Sequence, residues 1–172
     1  MTGSGPPRVV LVGPPGAGKT TVGSLVAARL GTSLRDTDAM IEAAAGTRVA
    51  DIFVDFGEAH FRRLERQVVL SCLAEHGGVL ALGGGAVTDA EVRAALAGHR
   101  TVFLDVGLAE AVRRVGLGGA RPLLLGNVRG QLKALMDARR PLYEEVAAHL
   151  VATDRRGVED VADDVAGLVP PG

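Results

Sequence analysis

Residues 13–20 read Gly-Pro-Pro-Gly-Ala-Gly-Lys-Thr and match G-x-x-x-x-G-K-[ST] in full. A short apolar run, Arg8 to Val12, precedes them, and a helical pattern from Lys19 to Leu30 follows. Strand, glycine loop and helix in that order make a cradle for phosphate. The glycines let the backbone wrap an anion, and the helix dipole adds positive potential to the amides of Gly16, Ala17, Gly18, Lys19, Thr20 and Thr21. Lys19 is placed to reach the β- and γ-phosphates of ATP, and Thr20 to offer its hydroxyl to Mg²⁺. The alternative is a plain Gly/Pro turn with a solvated lysine. The loop by itself leaves the phosphoryl acceptor open, because GTPases, ATPases and kinases of many substrates share it.

The rest of the chain alternates. A strand is predicted at Ser33–Asp36, then helices at Ala39–Ala45, Val49–Phe56 and Glu58–Glu75, the last with an apolar stripe of Phe61, Leu64, Val68, Cys72 and Leu73. Strands at Val79–Leu82 and Thr101–Asp105 enclose a helix at Asp89–Leu96. Helices at Leu108–Val115 and Arg129–Ala148, a strand at Leu150–Ala152 and a closing helix complete the pattern. Such alternation predicts an α/β fold with a central parallel sheet of about five strands covered by helices on both faces. No repeat or composition break divides the 172 residues, so a single domain over 1–172 is expected.

Nineteen basic against twenty acidic side chains leave no broad field to gather nucleic acid or anionic lipid. No stretch has the roughly 18 uninterrupted apolar residues of a membrane helix, and the amino terminus reads as a strand and not a signal peptide. The single cysteine, Cys72, falls in an apolar helical stripe, consistent with a reducing compartment. A cytoplasmic monomer without nucleic-acid or membrane partners is expected.

The metal needs a carboxylate, and the position that supplies one in motor proteins and GTPases lacks it. Val79-Leu-Ala-Leu82 runs directly into Gly83-Gly-Gly85, and no Asn-Lys-x-Asp motif follows the third strand. The nearest candidates are Asp36 and Asp38, just beyond the second strand, where parallel-sheet proteins place ligands. Asp36 suits Mg²⁺ through a water, and Asp38 suits a hydrogen bond from an acceptor hydroxyl. The alternative for Asp38 is a cap on a helix beginning at Ala39.

Six elements occur together: the phosphate loop, Asp36-Thr-Asp38, Phe56-Gly-Glu-Ala-His-Phe61-Arg62, Gly83-Gly-Gly-Ala86, Arg121-Pro-Leu-Leu and Arg139-Arg-Pro-Leu-Tyr143. In that order they resemble shikimate kinases, and the match spans most of the chain. The resemblance implies a P-loop kinase fold like that of nucleoside monophosphate kinases, with a lid at about 116–126 and an acceptor-binding segment at about 36–63. It implies transfer of the γ-phosphoryl group of ATP to the 3-hydroxyl of shikimate, with Mg²⁺. A kinase for another polyol acid such as gluconate, or a nucleotide-dependent switch without phosphoryl transfer, are the alternatives.

By the same resemblance Asp38 contacts the ring hydroxyls, while Arg62 and Arg139 hold the carboxylate, which a guanidinium grips through paired hydrogen bonds. Arg62 has an alternative in an exposed pair with Glu58, and Arg139 in a basic side chain late in a helix. Arg63 and Arg140 read as surface charges. Gly83, Gly84 and Gly85 would bring backbone N–H groups to the substrate, or form a flexible turn. Arg121, flanked by glycines, would reach the transferred phosphate. Arg114 would lie near the adenine, opposite the loop Asp154-Arg-Arg156-Gly157, and Phe53 and Phe61 are available to the acceptor ring. Lys19, Asp38 and Arg121 are the expected catalytic residues.

Overall fold

The structure, a computed structural model, describes residues 3–117 and 127–172, with the side chain of residue 117 excepted. Strand β1 (Val9–Val12) is apolar at every position and buried on both sides, so it takes the centre of a sheet. It pairs in parallel with β3 (Val79–Ala81) on one side and β4 (Thr101–Asp105) on the other. Outside these lie β2 (Leu34–Asp36) and β5 (His149–Ala152), giving the all-parallel order β2-β3-β1-β4-β5. After β1 the chain builds one half of the sheet and then crosses to the other, which leaves a crevice beyond the carboxyl end of β1. Register sets Leu11, Ala81 and Asp36 side by side, so the phosphate loop, the triple glycine and Asp36 all emerge at that crevice.

Helices cover both faces because each strand's alternating side chains must be buried on both. Val9 and Leu11 pack with Val22 and Val26 of α1 (Lys19–Leu30) and with Val161 and Val165 of α8 (Val158–Gly167). Val10 and Val12 face the opposite way, onto Val69 and Cys72 of α4 (Glu58–Glu75) and onto Tyr143. Full burial of each such Val or Leu is worth about 1.5–3 kcal/mol, so the sheet is held by these two aliphatic layers. The other helices are α2 (Thr37–Ala45), α3 (Val49–Phe56), α5 (Ala90–Leu96), α6 (Leu108–Leu117) and α7 (Val128–Val146). A 3₁₀ turn at Ala86–Thr88, absent from the sequence pattern, follows the glycines. No helix among the described residues is long and apolar enough to cross a membrane.

Three expectations change. Helix α6 continues to Leu117, two residues past Val115. Helix α7 is one helix that passes through Pro141, where the missing N–H removes a single backbone bond. The buried positions of α4 are Phe61, Glu65, Val69, Cys72 and Leu73, with Leu64 and Val68 only partly buried. Helix α4 packs on the sheet along one side and on α2 and α3 along another, where Ile41, Ile52 and Phe61 form a small core of their own. The covered face is therefore wider than one stripe, and it includes a carboxylate.

His76 ends α4 at 1 % exposure. Its Nε2 faces two carbonyl oxygens, Val79 O at 3.0 Å and Ser33 O at 3.2 Å, so Nε2 carries the proton. Nδ1 is buried with no partner among the described residues, and burial pulls the imidazole pKa below 6.5. The unfolded chain then binds a proton that the folded one refuses. His76 contributes its stability above about pH 6.5 and loses it as pH falls, by about 1.4 kcal/mol per unit of depression. The urea midpoint is expected to drop between pH 7.5 and 5.5, and to drop less in His76→Gln.

Candidate active site

The phosphate loop occupies the crevice beyond β1. Gly16 and Gly18 adopt φ of 84° and 86°, left-handed values that let successive amides turn toward one point. Helix α1 begins on Gly18 with no side-chain cap and no acid in its first turn, so its leading amides are open to an anion. The Ala17 amide is the exception, bonded back to Pro14 O at 3.2 Å, and Thr21 lies exposed in the same first turn. Lys19 Nζ donates to Gly13 O at 2.7 Å and Pro14 O at 3.1 Å, which holds the amine over the loop. The residue is only partly exposed and its amine end is desolvated, which lowers its pKa to about 8 against the opposing pull of Asp38 and Asp36.

Thr20 Oγ1 donates to Asp36 Oδ2 at 2.5 Å, while Asp36 Oδ1 accepts from the Ala39 amide at 3.1 Å. The cap of α2 is thus Asp36 and not Asp38, and the helix starts at Thr37, two residues before Ala39. The two expected metal ligands are in contact. Among the described residues no group of three or more His, Cys, Asp or Glu forms a metal cage. Two oxygens next to a phosphate cradle suit Mg²⁺, which keeps several of its waters.

Asp38, released from capping, projects into a second cluster. Its Oδ1 is buried with no hydrogen-bond partner among the described residues. Burial raises its pKa, as does the neighbouring Asp36, while Lys19 opposes them. Arg62 Nη1 donates to Glu65 Oε1 at 2.7 Å, and Arg62 Nε lies 3.5 Å from Glu58. The surface pair with Glu58 therefore exists, but the closer partner is Glu65, which is 1 % exposed and whose pKa burial raises. The guanidinium also lies over Phe61 at 5.3 Å and Phe53 at 5.7 Å, whose rings are 4.7 Å apart. Phe61 is core and Phe53 is partly exposed.

The three glycines serve these side chains sterically. A Cβ on Gly83 would stand 2.5 Å from Asp38 Oδ1 and 2.8 Å from Glu65 Oε2, and one on Gly85 would enter the Arg62 guanidinium. A Cβ on Gly84 would press on Pro15 of the phosphate loop at 3.3 Å. The Gly83 amide is spent on Thr37 Oγ1 at 3.0 Å. The amides of Gly84 and Gly85 meet no acceptor among the described residues. Arg139, partly buried on α7, carries no ion pair among the described residues, and its charge is felt at Lys19, Glu65 and Tyr143.

Other expected residues lie apart from this cluster. Arg114 Nη1 donates to Gly16 O at 2.8 Å and its Nε to Glu110 at 3.0 Å, so it braces the phosphate loop from α6. Arg156 is held by Asp164 at 2.7 Å and by Ala152 O at 3.1 Å. Arg140 pairs with Asp105 at 3.0 Å and lies over Phe103, which is more than a surface charge does. Arg121 and the 118–126 part of the expected lid lie outside the described residues. The sequence pattern missed Thr37, Glu65 and Tyr143. For Glu65 a signal was present, an Arg62–Glu65 i,i+3 pair on the buried face of a helix.

A phosphate cradle at the switch point of a parallel sheet, beside a cluster of buried charged side chains, defines a P-loop kinase. The chain belongs to the shikimate kinase family, whose profile matches residues 15–169. It is 61% identical over 159 residues to a shikimate kinase of Streptomyces avermitilis, covering 92% of this chain and 93% of that one. It is 54% identical to a shikimate kinase of Mycobacterium bovis, over 87% and 86% of the two chains. The solved shikimate kinase of Acinetobacter baumannii in complex with shikimate superposes with a TM-score of 0.88 at 37% identity, over 95% of this chain and 92% of the other. An APS kinase of Mycobacterium tuberculosis, 22% identical with a TM-score of 0.57 over 96% and 97% of the chains, shares the fold.

Glu65→Ala strands a largely buried guanidinium and is expected to lower the unfolding free energy by about 3 kcal/mol. Glu58→Ala, on the exposed side of the same arginine, is expected to change it by less than about 0.5 kcal/mol in parallel urea titrations.

Proposed function

We propose that the protein transfers the γ-phosphoryl group of ATP to the 3-hydroxyl of shikimate, giving shikimate 3-phosphate and ADP. One observation carries the reading. Beside an open phosphate cradle, the buried Asp38 Oδ1 has no hydrogen-bond partner among the described residues, as befits a group that waits for a ligand with hydroxyls. Arg62 and Arg139 take the carboxylate, and Asp38 takes the hydroxyls. The amides of Gly84 and Gly85 add two donors to the pocket.

Lys19 and the loop amides, among them those of Gly16, Gly18 and Thr20, hold the phosphates, with Thr21, Arg114 and Arg156 toward the rest of the nucleotide. Thr20 and Asp36 would hold Mg²⁺, which when bound supplies positive charge to the phosphate oxygens. Asp38 accepts the hydrogen bond of the 3-hydroxyl and takes its proton as that oxygen bonds to the γ-phosphorus. The bond from γ-phosphorus to the bridging oxygen breaks, and ADP leaves. Lys19 and Arg121 balance the charge on the transferring group, so positioning and electrostatics do most of the work. One chain supplies every group required, which supports a monomer, and the same reading places it in the cytoplasm.

The decisive experiment is mass spectrometry of the purified protein with ATP, Mg²⁺ and shikimate, with shikimate phosphate as the expected product. ADP release dependent on gluconate, with none on shikimate, would reject the reading. Asp38→Asn is expected to lower kcat by about 10²–10⁴-fold while ATP binding persists. The pH profile has two limbs of opposite origin. Asp38 must be ionised and its pKa is raised, so kcat/KM for shikimate falls with acid at a pH above the ordinary carboxylate value. Lys19 must be protonated, so kcat/KM for ATP falls as pH rises through about 8. A nucleotide that brings phosphate charge to Lys19 moves that limb upward in kcat.

A further inference from the structure

Tyr143 is the only tyrosine in the chain, there is no tryptophan, and none of the roles above uses it. It sits on α7 at 1 % exposure, its ring 5.1 Å from that of Phe103. Its Oη donates to Gly84 O at 2.6 Å. A peptide unit is planar and trans, so fixing the Gly84 carbonyl also fixes the Gly85 N–H, which points the opposite way, off α7. The other polar groups of this loop are pinned too. Gly83 N bonds to Thr37, Gly83 O accepts from Ala86 N at 3.1 Å, and Gly85 O accepts from Thr88 Oγ1 at 2.6 Å. Among the described residues Tyr143 is therefore the one side chain that sets the Gly84–Gly85 peptide plane.

Two further features give the phenol reach. Gly84 packs against Pro15, so its placement is shared with the phosphate loop. Arg139 precedes Tyr143 by four residues on α7 and shares its face of the helix. Burial pushes the phenol pKa up to about 12, with Arg139 pulling the other way, so Oη stays a donor at any working pH. A phenol in that state acts by holding its neighbours and not by exchanging a proton.

We infer that Tyr143 is a positioning residue for the acceptor, holding the Gly84–Gly85 peptide in one arrangement through its hydroxyl. The inference rests on the kinase reading above and deepens its acceptor pocket. Tyr143→Phe removes one oxygen and keeps the packing on Phe103. It is expected to raise the KM for shikimate about tenfold, with kcat and the KM for ATP changed less than threefold. In an Arg139→Lys background the same change is expected to have a much smaller effect, because both act on the one bound acceptor.

Intrinsic tyrosine fluorescence of the unaltered protein reports this residue alone, and shikimate added without nucleotide is expected to change it saturably. A saturable signal supports the inference even if Tyr143→Phe does not fold. Tyr143→Phe with an unaltered shikimate KM, or with both substrates' KM values raised equally, overturns it, as does a full tenfold effect in the Arg139→Lys background. A flat fluorescence titration with an enzyme that turns over shikimate also overturns it. Absence of shikimate turnover by the unaltered protein rejects the kinase reading instead.

Discussion

The parallel ladder of β1 between β3 and β4 governs what the rest of the chain can do. Its four apolar residues are buried on both faces, so they leave no place for a charged side chain along the strand. Polar chemistry is displaced to the point where β1 ends. There the register with β3, and through it with β2, brings three loops from distant parts of the chain to one edge. The phosphate loop, Asp36-Thr-Asp38 and the triple glycine meet because three strands agree in register. A one-residue slip would turn every strand side chain to the wrong face.

Much of this was legible. The phosphate motif located β1, the cradle and α1, and the apolar runs located β3 and β4, because both signals are local. α3 and α4 fall where periodicity placed them, with Gly57 ending the first and opening the second. Asp36 and Asp38 were recognised as a pair, but their division of labour was not wholly readable. Which aspartate caps α2 depends on where Thr20 lies, and Thr20 is brought there by the sheet.

Glu65 was missed for a related reason, although its i,i+3 spacing to Arg62 was there to read. Periodicity assigns a charged residue to water unless something pays for its burial, and here the compensation comes from Arg62 one turn away together with the space left by Gly83. Tyr143 was quoted as part of a motif without a role, because its partner Gly84 is 59 residues distant. The glycines were recognised as places of close approach. What approaches two of them, however, is this chain's own Asp38, Glu65 and Arg62, which sequence spacing cannot reveal.

These contacts explain why the pocket can be charged and still folded. Lys19 and Arg62 face Asp38 and Glu65 in a region largely out of water, so each sign has an opposite nearby. Desolvation nonetheless moves the pKa values of Lys19 and Asp38 toward each other. Folding thus leaves these groups under-solvated and under-bonded, a state whose cost is borne by the aliphatic layers on the two faces of the sheet. In the proposed reaction a ligand carrying both anionic and hydroxyl groups would complete the bonds that the protein leaves open. Because the arrangement is already in place, less of the binding energy is spent on ordering side chains, and more remains for aligning the hydroxyl with the phosphoryl group.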